Sequence, residues 1–103
     1  MASTRQIGRK KERRTRDWLE ELGYKVCLTP MPTRWQKEQD MFGLWDLIAV
    51  DSDQVRFIQV KSRKIYGKEL IKYNEFPCPP NCTKEVWVWK RGARAPFIQI
   101  LED

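Results

Sequence analysis

Gly43-Leu44-Trp45-Asp46-Leu47-Ile48-Ala49-Val50 and Val55-Arg56-Phe57-Ile58-Gln59-Val60-Lys61, separated by Asp51-Ser52-Asp53-Gln54, decide how this chain folds. Both runs are rich in β-branched and large apolar residues, and the segment between them carries turn chemistry, so they are expected to form a β-hairpin. A two-residue turn at Ser52-Asp53 faces Asp51 with Gln54, and a four-residue loop pairs Val50 with Val55. Both give one register. Counting back along the antiparallel ladder sets Asp46 opposite Gln59, and Lys61 shares their face because side chains alternate. A carboxylate, an amide oxygen and an ammonium therefore converge from two apolar strands, an arrangement costly in a core and useful in an active site.

Outward from the hairpin, the N-terminal segment from Arg5 to about Leu22 has helical periodicity and ends at Gly23, a good residue to follow a helix. Ser3 or Thr4 can cap its start. At about 100° per residue, Ile7, Gly8, Thr15, Trp18, Leu19 and Leu22 share one arc, and Glu12 projects roughly 20° beyond Leu19, at its edge. Lys11 also falls inside the arc, which amphipathicity does not explain. Glu12 is open to three readings, an i,i+4 partner for Arg16, solvent exposure on the Gly8 side, or a member of the hairpin's polar set. Arg9-Lys10-Lys11-Glu12-Arg13-Arg14 and Arg16 place six cations within residues 9–16. That density points to phosphate contact more than to solubility.

Tyr24 to Thr29 reads as a first strand stopped by Pro30-Met31-Pro32. Residues 30–43 form a long loop with Arg34, Trp35 and Asp40. Trp35 either plugs the core edge or wedges against bases, and Asp40 is expected to be solvated. Beyond the hairpin come Ser62-Arg63-Lys64, a short helix within Ile65 to Tyr73, a proline-rich loop, and two strands at 84–90 and 96–101. Trp87 and Trp89 are placed near Phe97 and Gln99, as sheet core or as a dimer patch. The expected fold class is α/β, one domain over 1–103, a mixed central sheet with flanking helices in the order α-β-β-β-α-β-β.

Composition agrees with that size. The 103 residues suffice for one core. Lys plus Arg outnumber Asp plus Glu by 20 to 14, a net charge of +6 that favours a polyanionic partner. No apolar run approaches the roughly 18 residues of a membrane helix. No apolar stretch follows the N-terminal charges, so a reducing cytoplasm, of a prokaryotic cell or a phage-infected host, is expected. The chain has three cysteines and no histidine. Cys78 and Cys82 are spaced like zinc ligands, but Cys27 alone remains as a third thiolate, and free thiols or one adventitious disulfide are expected.

Oxygen donors at Glu12, Asp46 and Gln59 suit Mg²⁺, and an ammonium beside such a cation stabilises charge on a phosphate. Acyl transfer and nucleoside-triphosphate chemistry lack their parts here, with no histidine and no glycine-rich phosphate loop.

Asp46 followed by Gln59-Val60-Lys61 on the neighbouring strand resembles the PD-(D/E)XK nuclease signature. With Gly8-Arg9-Lys10-Lys11-Glu12 and Trp18-Leu19-Glu20-Glu21-Leu22-Gly23-Tyr24-Lys25-Val26 upstream, the likeness is to small archaeal-type and phage Holliday junction resolvases over about residues 8–64. The resemblance implies a restriction-endonuclease-like core in which Glu12, Asp46, Gln59 and the Val60 carbonyl are Mg²⁺ or Mn²⁺ ligands and Lys61 is the catalytic lysine. It implies a homodimer that nicks opposed strands of a four-way DNA junction in recombination and repair. Arg5, Arg9, Lys10, Lys11, Arg13, Arg14, Arg16, Arg34, Arg63 and Lys64 would hold the DNA. Trp45 stands where the family usually has proline, and Gln59 where it usually has an acid, which lowers the charge offered to a cation. Two alternatives accompany this reading: a related nuclease acting on nicks, flaps or duplex, and a catalytically silent nucleic-acid-binding module.

Overall fold

The computed structural model describes residues 4–29 and 40–101, with side chains from Gly8 onward. The expectations for Ser3, Pro30 to Pro32, Arg34 and Trp35, and for the Arg5 and Ile7 side chains, lie outside the described residues. The elements are α1 (Thr4–Glu21), β1 (Lys25–Leu28), β2 (Leu47–Val50), β3 (Val55–Lys61), α2 (Lys68–Asn74), β4 (Cys82–Val88) and β5 (Phe97–Leu101). They form an α/β unit with one five-stranded mixed sheet in the order β1-β2-β3-β4-β5. Only β3 and β4 run parallel, and α2 lies in the crossover that a parallel pair requires.

Helix α1 ends as its sequence indicates. The Gly23 N–H donates to the Glu20 carbonyl and the Tyr24 N–H to the Leu19 carbonyl, at 3.0 and 3.1 Å. This paired closure needs a left-handed residue, and Gly23 supplies it at φ 96°. Tyr24 then packs beside Leu19 in the core. Leu22 falls in that closing turn and points to solvent, leaving the apolar arc it was assigned to.

Two apolar layers flank the sheet. On the α1 side Leu19 packs on Leu47, Ala49, Ile58, Trp87 and Trp89; on the α2 side Ile65 and Tyr73 pack on Trp45, Val86, Val88 and Leu101. Trp87 and Trp89 are thus core and form no surface patch of their own, and Trp87 pairs with Ile98 while Phe97 and Gln99 face Val88 and Val86. Phe97 and Gln99 therefore lie on the face opposite Trp87, not beside it as expected, because one residue of register flips the face.

A buried polar contact ties α1 to β4. Trp89 Nε1 donates to Thr15 Oγ1 at 2.7 Å, and Thr15 Oγ1 donates to the Lys11 carbonyl at 2.9 Å. Thr15→Val keeps the shape but leaves the indole N–H without an acceptor, so urea unfolding is expected to show a loss of about 1–3 kcal/mol. Trp89→Phe in that background should add little, because the unpaired donor is then gone; full additivity of the two changes would contradict the contact.

Two other expectations are corrected. Gly43 to Trp45 belongs to a turn, with Phe42 and Gly43 both left-handed and the Trp45 N–H donating to the Met41 carbonyl at 3.0 Å. Strand β2 therefore begins at Leu47. Ile65 precedes α2 as a fully buried core residue. The hairpin itself has the expected register, Val50 facing Val55 and Leu47 facing Ile58. Asp51 Oδ1 clasps the turn by accepting from the Asp53 and Gln54 N–H groups, both at 2.8 Å.

Candidate functional site

Asp46 sits immediately before β2, and its backbone is shared between two neighbours. Its N–H donates to the Ile58 carbonyl and its carbonyl accepts from the Thr29 N–H, both at 2.9 Å. The Thr29 hydroxyl donates to the same carbonyl at 3.0 Å. This double tether fixes the carboxylate, whose Oδ2 accepts from the Val60 N–H at 3.0 Å. What Val60 supplies to Asp46 is thus its N–H.

Continuing the ladder from Leu47 and Ile58 sets Gln59 opposite Asp46. Gln59 is buried, and among the described residues its Oε1 has no hydrogen-bond partner. A buried acceptor without a donor is rare, and its natural complement is a cation or a donor brought by a ligand.

Burial raises the Asp46 carboxyl to about 8. The Val60 N–H opposes that rise; the negative charges of Asp40 and Glu12, and a hydrogen bond with Asp40, add to it. Asp46 therefore holds its proton at neutral pH until something positive enters.

Glu12 reaches this end of the sheet from α1 and is buried, its Oε1 3.3 Å from Arg9 Nη1. Arg9 Nη1 also donates to the Thr29 carbonyl at 2.6 Å. Glu12 is thus buried and not solvent-exposed, and its helical neighbour in the structure is Arg9. Arg9 is accordingly committed to the protein interior.

Lys61 ends β3, its Nζ 3.2 Å from Glu69 Oε1 on α2. Tyr73, one helical turn after Glu69, has its hydroxyl pushed up to about 12 by burial and then by the charges of Glu69, Asp46 and Asp40. Asp40 was expected to be solvated. The left-handed turn at Phe42-Gly43 folds it back, with the Gly43 N–H donating to its carbonyl at 2.8 Å. Glycine at the turn was the available signal. Glu69 carried none, because its proximity to Lys61 depends on where the crossover helix lands.

The other cations are distributed unevenly. Lys10 and Arg13 are exposed on α1, and Lys11 is half-buried. Arg16 pairs with Asp17 and Glu20. Arg63 is exposed near Glu69, Lys64 lies over the Phe97 ring, and Arg14 bonds the Ala93 carbonyl. The three cysteines are free.

The donors fit a hard divalent cation. Glu12 and Asp46 offer carboxylate oxygens, and Gln59 Oε1 is buried and uncommitted. Among the described residues no group of three or more His, Cys, Asp or Glu side chains is arranged for a metal, so the amide oxygen and water would have to complete the shell. No helix among the described residues is long and apolar enough to cross a membrane. Comparison with family models, with curated proteins and with solved structures finds no match.

Proposed function

We propose that this chain is a metal-dependent endodeoxyribonuclease with a PD-(D/E)XK core, acting as a homodimeric Holliday junction resolvase. The observation that carries the reading is the buried, unpartnered Gln59 Oε1 opposite a proton-holding Asp46, with Glu12 beside them. Such a cluster destabilises the empty fold and has its compensation in a bound cation.

Mg²⁺ or Mn²⁺ there would neutralise the scissile phosphate and acidify a bound water. Glu12, Asp46 and Gln59 would hold it, and Asp46 would surrender its proton as it entered. The Val60 N–H keeps the Asp46 carboxylate oriented. Lys61 would exchange Glu69 for the phosphate, a small sacrifice because a half-exposed ion pair contributes about 0–1 kcal/mol. Exposed cations on α1 supply sequence-independent affinity for the backbone.

The test is cleavage of a labelled four-way junction and a matching linear duplex with Mg²⁺ or Mn²⁺. Wild type should nick the junction in symmetric pairs. Lys61→Ala should cut at least about 100-fold more slowly with junction affinity within a few-fold. Equal cutting of both substrates would retain a nuclease and remove the junction role. Binding of both with cutting of neither would identify a silent binding module, the reading to which the neutral Gln59 lends weight.

A further inference from the structure

The loop between β4 and β5 carries Lys90, Arg91 and Arg94, and from Val86 to Leu101 the chain has no acidic residue. All three cations are exposed, and none is paired with a carboxylate among the described residues. The loop is held in shape from three directions. The Ala93 N–H donates to the Lys90 carbonyl at 2.9 Å, with Gly92 at φ 77°, closing a tight turn. Arg14 of α1 donates to the Ala93 carbonyl at 3.1 Å while its guanidinium lies 4.1 Å from the Trp89 ring centroid. The Trp89 N–H donates to the Lys61 carbonyl at 2.9 Å.

That last bond sets the loop at the carboxyl end of β3, the end that carries Lys61. Three cations on a braced turn, beside a candidate phosphate-processing site, complement the charge of a nucleic-acid backbone. We propose that the Lys90–Arg94 loop is a clamp for the phosphates of a DNA duplex, and that Arg14 is its positioning residue. The proposal rests on the nuclease reading for its choice of DNA, and it adds an interface that the basic run of α1 does not contain. A duplex arm entering the site would lie between α1 and this loop, gripped by its backbone without regard to sequence.

The test is fluorescence anisotropy of labelled four-way junction and linear duplex over a salt series in EDTA, so that binding is read without cleavage. The Lys90→Ala/Arg91→Ala/Arg94→Ala variant should bind roughly 10- to 100-fold more weakly, with a salt slope lower by about 2 to 3. Its melting temperature should not change, since all three side chains are exposed. Arg14→Ala should lower the slope by more than the roughly 0.9 of one phosphate contact, because the loop moves with it.

An unchanged slope in the triple variant, where Lys10→Ala/Arg13→Ala lowers it, overturns the clamp and leaves the nuclease reading intact. A wild-type chain that binds neither DNA but binds phosphatidylserine vesicles overturns both. Slope loss in the triple variant, with a wild type that never cleaves when Mg²⁺ or Mn²⁺ is supplied, supports the clamp and removes the nuclease.

Discussion

Asp46→Asn is expected to abolish metal-dependent cleavage and, at pH 8, to make the metal-free protein more stable than wild type. In the folded chain the carboxyl keeps its proton up to about pH 8, while unfolded it releases it near the ordinary 3.8. Between those values the folded state binds more protons, so stability is full below about pH 4 and declines as pH rises toward 8. The decline at this single site is on the order of a few kcal/mol, or roughly 10–25 °C in a domain of this size. Asparagine carries no charge, and its Oδ1 still accepts from the Val60 N–H, so the variant's melting temperature should vary less over the same range. Mn²⁺ should reverse the ranking at pH 8, stabilising wild type by driving off the proton and leaving Asp46→Asn unmoved. Thermal melts at pH 5 and 8, with and without Mn²⁺, check all three statements. Parallel pH profiles for the two proteins would refute the burial argument, and cleavage by the variant would refute the ligand assignment.

Arg56→Leu is expected to destabilise the fold by about 3–5 kcal/mol, the cost of leaving a buried charge without its partner. Arg56 Nε and Nη2 donate to the two carboxylate oxygens of Glu85, each at 2.7 Å. Glu85 is fully buried and also accepts from the Thr83 hydroxyl and from Trp87 Nε1. Glu85 in turn raises the guanidinium above its ordinary range, chiefly by hydrogen bonding. Against a typical total of about 5–15 kcal/mol, the loss is a large share of the whole. One further measurement separates it from lost packing. The double change Arg56→Met/Glu85→Met should recover only part of the loss: a buried pair is readily replaced by apolar side chains of similar volume, but the Trp87 indole N–H then lacks its acceptor, at a cost of about 1–3 kcal/mol. Urea unfolding of the three proteins decides. Equal losses for single and double variants would mean that packing, and not the ion pair, carries the effect.

Neither the Arg56–Glu85 pair nor the Lys84 ammonium, buried and bonded to the Asn74 and Phe76 carbonyls at the end of α2, was visible beforehand. In the sequence both are charged residues on alternating strands, the usual mark of a solvated face. Burial of charge depends on which helix lands on which face. The hairpin is the opposite case. Asp51 closes its own turn within three residues, so the pairing of Asp46 with Gln59 followed from counting. Glu12 was legible in part, through its angle to Leu19 on one helix.

What the sequence by itself determined is local: the extent of α1 to its glycine closure, the order of elements, the β2–β3 register and so the placing of Asp46 opposite Gln59 in the polar set. Hydrophobic period and turn chemistry act over a few residues, and those residues are adjacent on the chain. Tertiary structure alone decided that Asp40 and Glu69 join that set, that Arg9 is interior, that Arg14 braces the β4–β5 loop, and that Trp87 faces Ile98. Each depends on parts of the chain that meet only when the sheet and its two helix layers close. Burial then turns an ordinary carboxyl such as Asp46 into one that holds its proton.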